Sequence, residues 1–172
     1  ISGLAQHHRV SLMTFAQSSR SIHSKLLSTC VRVETNTSHP RKPWGRVRTI
    51  LFSRRPDLQD RLAARDTHSL LRQLLAKERF NAIHIEGLEM ASYAPTIRKL
   101  APTYGSPMLI FDAHNSETII QRRAFATDIR DPRRCLEALY SLLQLPRLRR
   151  FERETCAIVD EVLCVSEEDA DA

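Results

Sequence analysis

Short apolar runs recur along this chain, and each is separated from the next by a longer stretch with helical periodicity. Strands alternating with helices of this length argue for right-handed βαβ units around a parallel sheet. Val10–Phe15 is the first such run and Val31–Glu34 a shorter second, followed by Ala82–Glu86, Met108–Asp112 and Glu161–Val165. Asp66–Lys77 carries Leu70, Leu71, Leu74 and Leu75 as one apolar stripe, the spacing of a helix with a single inward face. Helical patterns also run from Met90 to Leu100, with Pro95 in the first turns, and from Thr118 to Phe125. In the long region Pro132–Val159, Leu136, Leu139, Tyr140 and Leu143 fall on one face. Pro146 has no N–H to donate and is expected to break or kink this helix. Residues 36 to 58 hold Pro40, Pro43, Gly45 and Pro56 and read as a loop with a short helix at Val47–Phe52. The fold class expected is α/β, a doubly wound, Rossmann-like parallel sheet.

A chain of 172 residues suits one domain with a real core. Its 42% apolar and 27% charged residues are ordinary globular values, and no apolar run approaches the roughly 18 residues of a spanning helix. No secretory signal is seen. The net charge of +6 comes from 22 Arg and 4 Lys, spread along the chain with clusters such as Arg122-Arg123 and Arg133-Arg134. Such a surface attracts phosphates or anionic lipid. No basic stretch interleaved with aromatics is present, so nucleic acid is not an expected partner. Cys30, Cys135, Cys156 and Cys164 form no CxxC pair, which suits a reducing, cytoplasmic setting; Cys164, in an apolar strand, reads as a small buried hydrophobe.

The segment Leu109 to Glu117 concentrates the chemistry. It begins as a buried strand and ends abruptly in Asp112, His114, Asn115, Ser116 and Glu117. Ligands of open parallel sheets bind beyond the carboxyl ends of the strands. The same residue types also make ordinary turns and caps. Three groups are expected at that edge: Glu86, His114 and Ser166. A histidine there can shuttle a proton or polarise a phosphate or hydroxyl, and Glu86 and Glu117 can accept hydrogen bonds from a polyhydroxylated ligand. Glu86 can equally serve the following helix, and Ser166 reads first as a helix cap. His84 alternates with Ile83 and Ile85 and is expected to pack against one face of the sheet. Asp112-Ala113-His114 resembles the start of a metal-binding D-x-H-x-H, but Ser116 stands where the second histidine is needed and no HExxH supports it, so no metal is expected. Gly3, Gly45, Gly87 and Gly105 are isolated, so neither a phosphate loop nor a dinucleotide fingerprint is present.

The chain starts in a Leu4-containing segment that reads as the tail of a helix. It stops just after Ser166-Glu167-Glu168-Asp169, the form of a capping box. Both ends are expected to be cut within elements of a larger protein.

Three segments together carry a resemblance. Phe111-Asp112-Ala113-His114-Asn115-Ser116-Glu117 resembles the D-x-HN-x-E segment in the amino-terminal domain of family-4-like, GT-B-fold glycosyltransferases of the group 1 type. Arg150 to Glu154, with Val159 to Asp169, is similar to that family's r-x-E and aD-x-v-x-x-vSe-x-D stretch. Phe80 to Glu86 resembles its fD-v-h-x-e segment, with Asn81 where Asp is usual. The resemblance implies a retaining transferase, working without a bound cofactor or metal, that moves a sugar from a nucleotide-sugar donor to a small-molecule, lipid-linked or polysaccharide acceptor. Residues 1–172 would be a single, partial acceptor-side domain, with the first strand and its glycine-rich loop before Ile1 and the donor-binding domain after Ala172. The fragment alone would be inactive. His114 would be the catalytic residue, with Glu86, Asn115, Glu117 and Ser166 on the substrate side. The setting implied is cell-envelope polysaccharide synthesis in the cytoplasm, with peripheral contact at the inner membrane face. Two other readings compete: a non-catalytic α/β binding module, since fold does not fix function, and a metal-dependent hydrolase using Asp112 and His114.

Overall fold

The computed structural model describes residues 1–16, 24–37, 43–62 and 65–170. It is an α/β structure with parallel strands in two small sheets, one of two strands and one of three. The chain forms two compact units, Ile1–Pro40 and Arg41–Ala172. Pro40, in the expected loop, lies outside the described residues.

In the first unit, a 3-10 turn at Leu4–Gln6 replaces the expected helix tail. β1 (Ser11–Ala16) pairs in parallel with β2 (Arg32–Thr37), and α1 (Ser24–Thr29) lies between them in the chain. Their register sets Leu12 beside Val33 and Thr14 beside Thr35. Cys30, just after α1, is buried.

The second unit holds α2 (Pro43–Phe52), α3 (Arg65–Lys77), β3 (Ala82–Glu86), α4 (Ala94–Leu100), β4 (Met108–Ala113), α5 (Glu117–Asp128), α6 (Cys135–Ile158), β5 (Glu161–Cys164) and α7 (Glu167–Ala170). The sheet order is β3-β4-β5, all parallel. Period-2 alternation decides its faces. Ile85, Leu109 and Phe111 are buried on one face, whereas His84 and Glu86 stand exposed on the other. Leu71, Leu74 and Leu75 of α3, Ile97 of α4, and Leu148 and Phe151 of α6 complete the core.

Register is pinned by Asp160, at the turn into β5. Its carboxylate accepts the Leu109 N–H at 2.7 Å, and its own N–H donates to the Leu109 carbonyl at 2.8 Å. Arg98 of α4 donates to the same carboxylate at 2.8 Å and to the Ile158 carbonyl. The Leu109 N–H and the Arg98 guanidinium hold the Asp160 carboxyl below its usual range.

Three expectations are corrected. In α6, Leu136 and Leu139 are exposed, at 80% and 52%, and the buried stripe is instead Ala138, Ser141, Gln144, Leu148, Phe151 and Thr155. Polar partners line that face: Gln121 of α5 donates to Ser141 Oγ at 2.6 Å, and the buried Asp57 N–H donates to Gln144 Oε1 at 2.9 Å. α6 also runs on through Pro146. The carbonyl that loses its donor, four residues back, belongs to Leu142, which is 52% exposed and open to water. Finally, Cys164 is exposed, because β5 has only β4 as a neighbour among the described residues and none of its four residues is buried. Among the described residues, no helix is long and apolar enough to cross a membrane.

Candidate functional site

β3 ends in the polar pair His84 and Glu86, and the end of β4 with the bend that follows it supplies a second pair at the same spacing, Asp112 and His114. Side chains at i and i+2 share a face, and the parallel register sets Glu86 beside Asp112. Four titratable groups therefore meet at the carboxyl end of the sheet. His84 Nε2 lies 3.1 Å from Asp112 Oδ2, Asp112 Oδ1 lies 2.8 Å from His114 Nδ1, and His114 Nε2 lies 3.1 Å from Glu86 Oε1. Gly87 makes the strand end possible. Its φ of +77° is a conformation that L side chains rarely adopt, and its N–H donates to the Asp112 carbonyl at 3.0 Å.

Both ring nitrogens of His114 face carboxylates, so the protonated ring donates on both sides. The hydrogen bonds to Glu86 and then Asp112 raise the His114 pKa above its ordinary 6.5. The two carboxylates are not equivalent, since the Asp112 side chain is 20% exposed and the Glu86 side chain 68%. Asp112 is thus a fixed acceptor and Glu86 an exchangeable one. A ligand oxygen can take the place of Glu86 at Nε2 without disturbing the Asp112 bond.

The other expected residues fall around this cluster in different ways. Asn115 is exposed in the bend after His114. Ser116, at 8% exposure, is the N-cap of α5, and its Oγ accepts the Ile119 N–H at 3.3 Å. Glu117 opens α5. Burial pushes its carboxyl up, and the nearby Glu152 and Glu89 add to this while Arg61 opposes it. Ser166 caps α7 by accepting the Asp169 N–H at 3.2 Å, and its hydroxyl donates to Asp169 Oδ2. The other Asp169 oxygen accepts the Ser116 N–H at 3.0 Å, so the loops after β4 and β5 are tied together. The Ser166 hydroxyl and the Ser116 N–H hold the Asp169 carboxyl down. Glu152 of α6 accepts both the N–H and the hydroxyl of Thr118. The amides at the start of α5 are thereby engaged by side chains of this chain itself.

His84 was expected to pack, yet its side chain is 41% exposed and hydrogen-bonded to Asp112. The expectation assumed a sheet covered on both faces, and in this unit the face carrying His84 is open. The signal that could have found it is the repeated i, i+2 pairing of a histidine with an acid at two successive strand ends. An open hollow of about 460 Å³ lies elsewhere, between α5 and α6, and is lined by Gln121, Asp128, Tyr140 and Ser141 among others. It contains none of the expected site residues. Among the described residues, no group of three His, Cys, Asp or Glu side chains is arranged to hold a metal ion. Comparison of the chain with protein-family models, with curated proteins and with solved structures returns no match.

Proposed function

We propose that residues 1–172 form the acceptor-side part of a retaining glycosyltransferase with a Rossmann-like, GT-B type of architecture. The observation that supports this most directly is the Asp112–His114 pair at the carboxyl edge of a parallel sheet, with Glu86 delivered beside it by the neighbouring strand. Parallel α/β sheets bind ligands at that edge, and the paired residues are those that carry the resemblance. In this reading His114 is the catalytic residue. As an imidazolium it donates from Nε2 to a sugar hydroxyl or to the departing phosphate, whose developing charge it stabilises. Glu86 swings aside to bind acceptor hydroxyls. Asn115 and Glu117 hold the loop, and Ser166 anchors it through Asp169. The donor nucleotide-sugar is bound mainly by a second domain outside residues 1–172. A lipid-linked or polysaccharide acceptor would bring the protein to the inner membrane face.

The test is activity of the full-length protein over a panel of nucleotide-sugars, comparing wild type with His114→Ala. A loss of about 10²-fold or more in kcat is expected if His114 supplies transition-state charge stabilisation. Unchanged turnover would remove His114 from the site. The isolated 172 residues should transfer no sugar. A non-catalytic binding module is the second reading, favoured by the engagement of both His114 nitrogens with the chain's own carboxylates. Ligand binding by the full-length protein without turnover on any donor would support it.

A further inference from the structure

The geometry points to His84 as a positioning residue that, by anchoring Asp112, decides which nitrogen of His114 keeps its proton when the ring is neutral. Its use in sugar transfer rests on the reading of the preceding section, but the tautomer itself does not.

Asp112 bridges two imidazoles. Oδ1 faces His114 Nδ1 at 2.8 Å and Oδ2 faces His84 Nε2 at 3.1 Å. With both oxygens engaged, the carboxylate cannot rotate without breaking one bond. His84 is placed for this by β3, where it lies two residues from Glu86, and by the register that sets Glu86 against Asp112. The charged groups facing His114 are Asp112 at the end of β4 and Glu86 at the end of β3. Once His114 loses a proton, these two acceptors compete for the one that remains. Asp112 is closer, less exposed and held by His84, whereas Glu86 is 3.1 Å away on a side chain 68% exposed. The proton therefore stays on Nδ1, and Nε2 becomes a lone-pair acceptor turned toward the open edge. Which nitrogen of a histidine is free is set by the hydrogen bond the other one makes. Without His84, Asp112 is free to turn, and the ring reverts to the Nε2–H form that isolated histidine favours.

The experiment is nitrogen-15 NMR of the imidazoles in the 172-residue chain, at a pH where His114 is neutral. The wild type should give a pyrrole-type signal at Nδ1 and a pyridine-type signal at Nε2. His84→Ala should reverse the majority form. His84→Gln keeps an N–H donor near the same place and should restore the wild-type pattern. Asp112→Asn, which turns an acceptor into a donor toward Nδ1, should impose the Nε2–H form even with His84 present. A dispersed amide spectrum for each variant confirms folding. A wild type already in the Nε2–H form, or a His84→Ala variant that retains the Nδ1–H form, overturns the proposal. In the full-length protein the same Asp112 bond orients the imidazolium that donates from Nε2, so loosening it in His84→Ala should lower kcat more than it raises KM, with recovery in His84→Gln. A tautomer reversal with no change in transfer would uphold the positioning role of His84 and overturn its use in sugar transfer.

Discussion

Leu109 and Ile110 are neighbours in β4 whose replacement by alanine should differ sharply in cost, because the strand turns them to opposite faces. Leu109 is 1% exposed on the covered face; Ile110 is only partly buried on the open face that also carries Asp112. Leu109→Ala removes three carbons, worth about 2.4 kcal/mol at ~0.8 kcal/mol per methylene. The cavity left in the core adds to this, since comparable core truncations cost about 2.7–5.0 kcal/mol. We expect about 3 kcal/mol. The hydrogen bonds that the Leu109 backbone makes with the Asp160 carboxylate and N–H survive the change, so the loss reports packing alone. Ile110→Ala gives up only part of the same transfer term, about 1 kcal/mol. Trp44, the single tryptophan, is 84% exposed in α2 and a poor reporter of this core. The assay is therefore native-state hydrogen exchange at the amides of β3, β4 and β5, which reads the opening free energy of this sheet. Equal costs, or a larger cost for Ile110→Ala, would refute the face assignment and with it the placement of the candidate site on the open face.

Ser116→Ala should cost about 1 kcal/mol through loss of the α5 cap, read as faster exchange at the Ile119 amide; an unchanged Ile119 amide would sink the cap. Glu117 has a folded pKa raised above the ordinary 4.5, mainly by burial, so its stabilising contribution is fully present below 4.5 and lost as pH rises through the folded value. Glu117→Gln should therefore gain stability relative to wild type with increasing pH, and a pH-independent difference between the two in urea melts would contradict this. Among the thiols, Cys135 should react with a maleimide before Cys30, which is buried, and Cys156 should lag behind Cys135 because burial and Glu152 push its thiol up. Early labelling of Cys30, followed by mass spectrometry, would show that the first unit is open where the structure has it closed.

Local pattern was a good guide wherever one periodicity had one solution. β3 falls on Ala82–Glu86 as its alternation predicts, and α3 buries Leu71, Leu74 and Leu75 of the leucine stripe. It failed where a helix had two plausible inward faces. The leucines of α6 make an apolar stripe, yet a different stripe, with Ser141 and Gln144 hydrogen-bonded to Gln121 and Asp57, faces inward. It failed again at Cys164, since nothing within a strand says that it will stand at the edge of its sheet, as β5 does among the described residues. The candidate site was legible in part. His114 and Glu86, expected at the sheet edge, do meet there, whereas His84 reads from sequence as packed and Asp112, though part of the expected polar cluster, carries no sign of bridging two histidines.

Whereas α1 was not legible from local sequence, most strands and the longer helices, the cap at Ser116, and the abrupt change from apolar to polar residues at the end of β4 were. These follow from periods of 2 and 3.6 residues and from single-residue backbone preferences, all properties of a few neighbours in the chain. It took the packed sheet to set Glu86 beside Asp112, to leave His84 and Glu86 exposed on the face opposite Ile85, and to join two histidines through one carboxylate. Register and face are fixed by contacts between residues far apart in the chain. His84 and Asp112 lie 28 positions apart, so their pairing exists only once the two strands are laid side by side.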